Sequence, residues 1–261
     1  MAQHTWEGPE YVNDRTFNWK QRQDHPGYAA MVQSVDESVG RVQATIAELG
    51  LSKETVVLFT SDHGGLSSRG LRSKRELATT NLPLRQGKGS LYEGGTRVPL
   101  IVSWPGRLPA TTSDAVVTGT DHYATLLELA GLPLMPEQHV DARSYVPALR
   151  GLPFERGSTF WHSPLSRPSQ TGDTNCTAMR KGRYKVLDWY DDGLVELYDL
   201  SQDVGEKQNL AGKRTDKTQV LLSELRRWRE TTALNAKVSG SFSKRKQKKG
   251  NKGGRAGKSR K

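Results

Sequence analysis

Apolar positions in the first half of the chain form one helical stripe and two short continuous runs. From Met31 to Leu49 they recur every three or four positions, between a preceding Pro and a closing Gly, which predicts a helix with one apolar face. The run TVVLFTS at 55–61 and the segment RVPLIVSWPG, around 98–103, have the continuous apolar character of strands buried on both faces. Together they indicate an α/β unit with a parallel sheet.

The second half of the chain has short apolar stretches separated by turn residues. Strands are predicted in STFWHS, CTAMRKG, YKVLDWY and LVELYDL, and the sequence Asp191-Asp192-Gly193 is typical of a hairpin turn. A helical pattern follows in KTQVLLSELRRWRE. We therefore predict that residues 1–150 belong to the α/β region and that residues 151–236 form a small antiparallel subdomain with a helix.

The positive charge of the chain is concentrated at its end. The formal net charge is +11, yet eleven of the 39 Lys and Arg residues lie in 237–261, which contains no Asp or Glu. Residues 1–236 are therefore neutral. The terminal segment is rich in Gly, Ser and Lys and has too little apolar surface to fold, so we predict a disordered basic tail. Such a tail either binds polyanions or is a functionless solvated extension.

Composition excludes several classes of protein. A length of 261 residues with 34% hydrophobic content supports a folded core. No window approaches the about 18 consecutive apolar residues of a membrane span, and the first residues do not have the layout of a secretory signal. The single cysteine, Cys176, excludes an internal disulfide framework and a zinc site of clustered thiolates.

The stretch TSDHGGLSSRG at 60–70 contains the first candidate for chemistry. Asp62 and His63 follow directly on the predicted strand at 55–61, and ligands of open α/β sheets gather beyond the carboxyl ends of the strands. The aperiodic segment 66–93 is predicted to be a long loop on the same side, where loops are often functional. From the residues alone the pair is a metal site, an acid/base pair or a polar turn.

A longer pattern decides among these alternatives. The segments YAAMVQSVDESVGRVQATIAELGLSKETVVLFTSDHGG and PLRQGKGSLYEGGTRVPLIVSWPG strongly resemble the C-terminal half of the sulfatases, the arylsulfatase-like branch of the alkaline phosphatase superfamily. The resemblance covers roughly residues 26–233. It implies part of an alkaline-phosphatase-like α/β sandwich with a central, mostly parallel sheet, and it implies hydrolysis of a sulfate ester of a carbohydrate or an aryl group. Members are often periplasmic or secreted, although this chain shows no signal peptide.

The resemblance also assigns roles to individual residues. Asp62 matches the late aspartate that ligates the divalent cation, expected to be Ca²⁺ with Mg²⁺ as the alternative, and His63 matches the next position of that metal site. Lys88, in GKGSLYEGG, matches the lysine that contacts the sulfate group and acts in catalysis. A cation and an ammonium group would both stabilise charge that develops on the ester oxygens. His162, in FWHSP, lies in the substrate-facing part of the family and is a candidate for substrate binding.

The family pattern is incomplete in this chain. Members carry an early aspartate pair and a C-x-P-x-R or C-x-A-x-R segment whose cysteine becomes formylglycine, the nucleophile, and nothing before Tyr28 resembles either. Residues 176–180, Cys-Thr-Ala-Met-Arg, formally fit C-x-A-x-R, but their surroundings match a C-terminal strand of the family, so a strand cysteine is the preferred interpretation. We expect a sulfatase that lacks its N-terminal half and is inactive alone.

Two other functions stay open at this point. Asp-His pairs also ligate zinc in the phosphodiesterases and phosphomutases of the same superfamily, although the segment GKGSLYEGGTRVPLIV disfavours this hypothesis. The second alternative is a non-catalytic protein that binds polyanions through its tail at 237–261, with the sulfatase-like part as a scaffold.

Overall fold

The structure is a computed structural model that describes residues 7–15, 17–164, 167, 170, 175–190 and 192–232. Five helices and nine strands lie in these ranges. In chain order they are β1 (Tyr11–Asp14), β2 (Phe17–Lys20), α1 (Pro26–Glu48), β3 (Val57–Thr60), β4 (Ser68–Gly70), α2 (Glu93–Thr96), β5 (Leu100–Ser103), α3 (Asp121–Leu129), α4 (Val146–Leu149), β6 (Ser158–Ser163), β7 (Cys176–Lys181), β8 (Tyr184–Trp189), β9 (Val195–Asp199) and α5 (Thr215–Thr232).

Helix α1 confirms the predicted helical stripe. His25 caps its first turn, because its Nδ1 accepts a hydrogen bond from the backbone N–H of Tyr28 at 3.0 Å, and Gly50 follows its end with a φ of 69° that favours glycine. The apolar face of α1 is exposed, however. Met31 is 67% exposed, and no residue of α1 is buried by the described residues. The pattern therefore predicted the helix correctly, but this part of the chain does not cover its apolar face.

Strands β3 and β5 form a two-stranded sheet whose direction differs from the prediction. They pair antiparallel, with Thr60 opposite Leu100 and Val57 opposite Ser103, and every sheet pairing among the described residues is antiparallel. The predicted parallel pairing is wrong for these two strands because the segment between them returns to the carboxyl end of β3. A continuous apolar run does not specify strand direction. Neither strand is buried on both faces here.

A second small sheet lies in segments for which no strand was predicted. Strands β1, β2 and β4 pair antiparallel in the order β1-β2-β4, so part of the segment 66–93 is a strand rather than a loop. Phe17 is fully buried, and the backbone N–H of Lys20 donates to the carbonyl of Ser67 at 2.8 Å. These strands are three or four residues long and mostly polar, so tertiary contacts rather than local pattern determine them.

The C-terminal sheet confirms the predicted antiparallel strands. Its order is β6-β7-β8-β9, with each strand antiparallel to its neighbours. Helix α5 covers one face, where Leu221 and Leu225 pack with Met179, Val186 and Leu197. The other face is covered by the segment before α2, whose Tyr92 packs in a second cluster with residues of β7, β8 and β9. Both faces of this sheet are therefore buried.

Two further predictions concern the membrane and the tail. None of the helices in the described ranges combines the length and the apolar character required to cross a bilayer. The predicted basic tail at 237–261 lies outside the described residues, so its order stays a prediction.

Candidate active site

Asp62 and His63 lie directly after β3. The Asp62 carboxylate contacts His63 twice, through Oδ2 at 3.0 Å from the ring Nε2 and through Oδ1, which accepts from the backbone N–H of His63 at 3.0 Å. The other ring nitrogen, Nδ1, lies 3.0 Å from the carbonyl oxygen of Gly64. Asp62 is 80% exposed. The Asp62 carboxylate is therefore held by His63 and still open to solvent.

The segment after Asp62 lies against the segment that carries Lys88. The backbone N–H of Lys88 donates to the carbonyl of Gly65 at 3.0 Å, and the N–H of Gly64 donates to the carbonyl of Gly95 at 3.1 Å. Glycine is required at this contact, since a Cβ on Gly64 would lie 1.7 Å from the carbonyl oxygen of Gly94. The structure thus brings two of the predicted site segments together through their backbones.

Lys88 is half-buried, and its backbone is fixed by the hydrogen bond to Gly65. Within the described ranges, its ammonium group makes no ion pair or side-chain hydrogen bond. An unpaired lysine beside a glycine-rich turn is suited to hold an anion, because backbone N–H groups and the ammonium can approach the same oxygens.

Asn81 joins these two segments and was not predicted from the sequence. Its side-chain Oδ1 accepts from the N–H of Gly65 at 3.1 Å, while Nδ2 donates to the carbonyls of Gly65 at 3.0 Å and Gln86 at 2.9 Å. Nδ2 also lies 2.9 Å from the hydroxyl of Ser67. The only sequence signal was an Asn in a turn-rich stretch, TTNLPL, which has many ordinary explanations.

Arg85 fixes the Lys88 segment to the small N-terminal sheet and to the C-terminal sheet. Its guanidinium makes a bidentate pair with Asp14, at 2.6 and 2.7 Å, and donates to the hydroxyl of Tyr198 at 2.9 Å. It also stacks over the ring of Tyr92, 3.9 Å from the centroid. The position of Lys88 therefore depends on packing against both sheets.

A buried ionic triad holds the chain just beyond Lys88. Lys185 is fully buried and lies 2.8 Å from the carboxylate of Glu93 and 3.1 Å from that of Glu206. Glu206 also accepts from the backbone N–H of Glu93 at 2.6 Å. Burial raises the pKa of Glu206 to about 7, and Glu93 adds a like charge. The triad connects α2 to β8 and to the loop after β9.

His162 lies in β6, apart from the other candidate residues. Its Nδ1 is 2.9 Å from the hydroxyl of Thr177 and 3.2 Å from that of Tyr190, and burial lowers its pKa. In the described part of the chain, no hydrogen bond or ion pair joins it to Asp62, His63 or Lys88. His162 and Asp62 both line a cleft of about 2080 Å³.

The donor set fits a divalent cation only in part. Asp62 offers an accessible carboxylate of the kind that Ca²⁺ and Mg²⁺ prefer. No group of three or more His, Cys, Asp or Glu side chains with the arrangement of a metal site occurs in the described ranges. Asp62 can therefore supply one oxygen ligand, and the remaining ligands would come from elsewhere.

Cys176 lies at the start of β7 and is buried in the core, packed in the cluster that contains Tyr92 and Trp189. Burial raises the pKa of its thiol well above the usual value. The strand interpretation of this cysteine is confirmed.

Two models of known protein families match the chain. The family model described as sulfatase matches residues 1–132, and the one described as N-sulphoglucosamine sulphohydrolase, C-terminal, matches residues 86–231.

The chain belongs to the sulfatase family.

Sulfatases are sulfuric ester hydrolases, so this membership confirms the resemblance stated from the sequence.

Two curated sulfatases illustrate the extent of the similarity. A sulfatase of Formosa agariphila is 34% identical over 207 residues, which cover 72% of this chain and 36% of that protein. The N-acetylgalactosamine-6-O-sulfatase of Bacteroides thetaiotaomicron is 28% identical over 217 residues, which cover 73% of this chain and 41% of that protein. The chain thus spans less than half the length of these sulfatases and matches only part of each.

Solved structures confirm the alkaline-phosphatase-like α/β fold. The crystal structure of Ps i-CgsB in complex with k-i-k-neocarrahexaose aligns with 80% of this chain and 44% of its own, with a TM-score of 0.66 and 26% identity. The phosphonate monoester hydrolase of Agrobacterium radiobacter aligns with 77% of this chain and 40% of its own, with a TM-score of 0.56 and 25% identity.

Proposed function

We propose that this chain supplies the C-terminal part of a sulfatase active site that hydrolyses sulfate esters with the help of a divalent cation. One observation carries the proposal. In a chain of the sulfatase family, the hydrogen bonds from Lys88 to Gly65 and from Gly64 to Gly95 place the Asp62–His63 segment beside the Lys88 segment.

The two segments have complementary chemistry. Cleavage of a sulfate ester builds negative charge on the sulfate and leaving-group oxygens, and Lys88, whose ammonium has no ion pair with the described residues, offers its charge to those oxygens. Asp62 offers one hard oxygen ligand to Ca²⁺ or Mg²⁺, which supplies Lewis-acid stabilisation when bound. His63 holds the Asp62 carboxylate through Nε2. The His63 ring would therefore either orient Asp62 as a ligand or hydrogen-bond the sulfate.

The substrate class that we propose is sulfated carbohydrate. Support comes from relatives whose names specify sugars, among them an N-acetylgalactosamine-6-O-sulfatase and a structure complexed with neocarrahexaose. The cleft shared by Asp62 and His162 is also lined by Arg97 and Arg180, two cations that a sulfated sugar would contact. His162 would then contact the sugar away from the reacting ester.

We propose further that the chain alone does not turn over substrate. A sulfatase needs a nucleophile, which the family makes as formylglycine, and the only cysteine here is a buried strand residue. The exposed apolar face of α1 and the 60% exposure of Ile101 in β5 fit a surface that another segment of the fold covers.

The test compares three proteins with the same aryl sulfate and sulfated-sugar substrates. They are chain 1–261 alone, a chimera in which the N-terminal portion of the Formosa agariphila sulfatase precedes this chain, and the chimera with Asp62→Asn. We expect no turnover by the first, calcium- or magnesium-dependent turnover by the second, and a rate lower by at least about two orders of magnitude in the third. An active Asp62→Asn chimera with unchanged metal content would contradict the role of Asp62.

Phosphodiesterase activity is a second candidate function. It is favoured by the structural similarity to a phosphonate monoester hydrolase and by the position of His63 beside Asp62. An imidazole is a natural zinc ligand. The same chimera assayed with paired phosphate diester and sulfate ester substrates, in zinc and in calcium, separates the two. If the chimera cleaves the phosphate diester faster in zinc, the proposed sulfatase function is wrong and phosphodiesterase activity is the better proposal.

A further inference from the structure

Two side chains join the two segments of the candidate site, those of Asn81 and of Ser67, whose hydroxyl donates to the carbonyl of Gln86 at 2.7 Å. The Asn81 amide makes four contacts, to the N–H and the carbonyl of Gly65, to the hydroxyl of Ser67 and to the carbonyl of Gln86. Gly65 is three residues after Asp62, and Gln86 is two residues before Lys88. The Asn81 amide therefore spans the gap between the segment of the proposed cation ligand and the segment of the proposed sulfate contact.

The hydrogen bonds of Asn81 and the backbone hydrogen bond from Lys88 to Gly65 together form a closed ring. The carbonyl of Gly65 accepts from Nδ2 of Asn81 at 3.0 Å and from the N–H of Lys88 at 3.0 Å, so the two donors share one acceptor. A Cβ added to Gly87 would lie 2.3 Å from that same carbonyl oxygen and 2.5 Å from Nδ2 of Asn81. The ring has no space for another side chain, and only an amide offers an acceptor and two donors at this size.

We infer that Asn81 is a positioning residue that sets the location of Lys88 relative to Asp62. The importance of that location for catalysis rests on the proposed function. Replacement by Asp keeps the size and the acceptor oxygen but removes both donors, and it places a carboxylate against the carbonyls of Gly65 and Gln86. Each carbonyl then loses a hydrogen bond and faces a negative charge.

The chain contains a matched control in Asn209. Its Oδ1 accepts from the N–H of Leu197 at 3.0 Å and from that of Ala211 at 2.9 Å, and its Nδ2 donates to the carbonyl of Val195 at 3.2 Å. Asn209 thus bridges β9 to the loop before α5, within the C-terminal subdomain. The change Asn209→Asp removes the same donors without touching the candidate site.

The experiment measures amide hydrogen exchange residue by residue in chain 1–261, in Asn81→Asp and in Asn209→Asp. We expect exchange of the Lys88 N–H to be at least about ten-fold faster in Asn81→Asp, whereas the amides of β7 and β8 keep their wild-type rates. In Asn209→Asp the carboxylate still accepts from the N–H groups of Leu197 and Ala211, so the Leu197 N–H should stay protected, and the Lys88 N–H should not change.

Two results would overturn the inference. One is an unchanged Lys88 rate in Asn81→Asp. The other is equal acceleration of Lys88 and of the β7 and β8 amides, which shows a general loss of stability. If Asn81→Asp does not fold, Asn81→Ser is measured in its place, and failure of both to fold shows that Asn81 serves folding as a whole.

Activity of the chimera separates this inference from the proposed function. In an active chimera, Asn81→Asp should lower kcat by at least about ten-fold with a smaller change in KM, because the Lys88 contact matters most in the transition state. An inactive wild-type chimera would contradict the proposed function, while the exchange rates would still decide whether Asn81 positions Lys88.

Discussion

The C-terminal sheet with α5 and the region of α1, β3 and β5 both carry apolar sequence patterns, yet they differ in burial. Leu225 of α5 and Leu187 of β8 are fully buried, and both faces of the C-terminal sheet are covered by this chain. Leu49, at the end of the apolar stripe of α1, is 66% exposed. The first region is covered by its own sequence neighbours, whereas the described residues leave the apolar face of α1 in the second region exposed. Apolar periodicity shows which face must be covered but not what covers it.

The largest effect on stability is expected at the triad that joins the C-terminal sheet to the Lys88 segment. Lys185→Met should lower the free energy of unfolding by about 3–5 kcal/mol, because it leaves Glu206 buried without its cation and leaves Glu93 only the longer contacts to Arg180 and Arg97, at 3.6 and 3.9 Å. Urea unfolding followed by tryptophan fluorescence measures this change. The control is Lys181→Met, since Lys181 is half-exposed and pairs at the surface with Glu224. Equal losses in both variants would show that the triad has no special role.

A matched pair of leucines tests the comparison between the regions directly. Leu225→Ala should cost about 2–5 kcal/mol, since it removes a fully buried side chain, whereas Leu49→Ala should cost less than about 1 kcal/mol in chain 1–261. The same unfolding measurement applies to both. In the chimera, the cost of Leu49→Ala should rise if the added segment covers α1. A large cost of Leu49→Ala in the isolated chain would mean that α1 is already packed.

The titration of the Glu206 carboxyl group should be visible in the pH dependence of the free energy of unfolding. Its pKa is raised by burial from an ordinary value of 4.5 to about 7, so its contribution to stability is fully present below about 4.5 and is lost as the pH rises through 7. We expect the free energy of unfolding to fall by roughly 2–3 kcal/mol between pH 5 and pH 8. The pKa of Glu93 is lowered in the fold, so Glu93 stays ionised across this window.

Glu206→Gln provides the control for that measurement, because Gln keeps an acceptor for the N–H of Glu93 and does not titrate. The fall between pH 5 and pH 8 should be clearly smaller in the variant. Identical pH profiles of the two proteins would show that Glu206 titrates outside this range.

The smallest effect on the folded part of the chain is expected from deletion of the basic tail at 237–261. We propose that residues 237–261, with eleven basic and no acidic side chains, bind sulfated polysaccharide or nucleic acid by counterion release. Affinity of the full chain for heparin should fall steeply between low and high salt and should be lost when the tail is deleted, with no change in folding. Affinity that is insensitive to salt would exclude this account.

The sequence allowed prediction of elements whose pattern is long or repeated. Helix α1 and strands β6 to β9 carry such patterns. Four short apolar stretches separated by turn residues are typical of an antiparallel sheet. Strands β2 and β4 were missed because FNWK and SRG are short and polar, and their pairing depends on contacts that are distant in sequence. The direction of β5 relative to β3 was also not available from the pattern, since a continuous apolar run indicates a strand covered on both faces and does not fix the direction of its neighbour.

The candidate site likewise contains residues that the sequence predicted and one that it did not. Asp62 and Lys88 were predicted from a strand end and from a family motif, and the contact between their segments was implied by both. Asn81 was not predicted, because its role depends on two backbone carbonyls that lie sixteen and five residues away in the chain. Hydrogen-bonding partners of this kind carry no periodic signal, so only the folded structure reveals them.

Lys88, as proposed above, acts on the sulfate group beside Asp62, and kcat for sulfate ester hydrolysis by the chimera and by its Lys88→Ala variant tests this role. We expect a fall of at least about a hundred-fold in kcat, as for the loss of one donor to developing negative charge. Lys74→Ala, an exposed lysine of the same long segment, should leave kcat unchanged. A Lys88→Ala chimera with normal kcat, or with a change in KM alone, would contradict the claim.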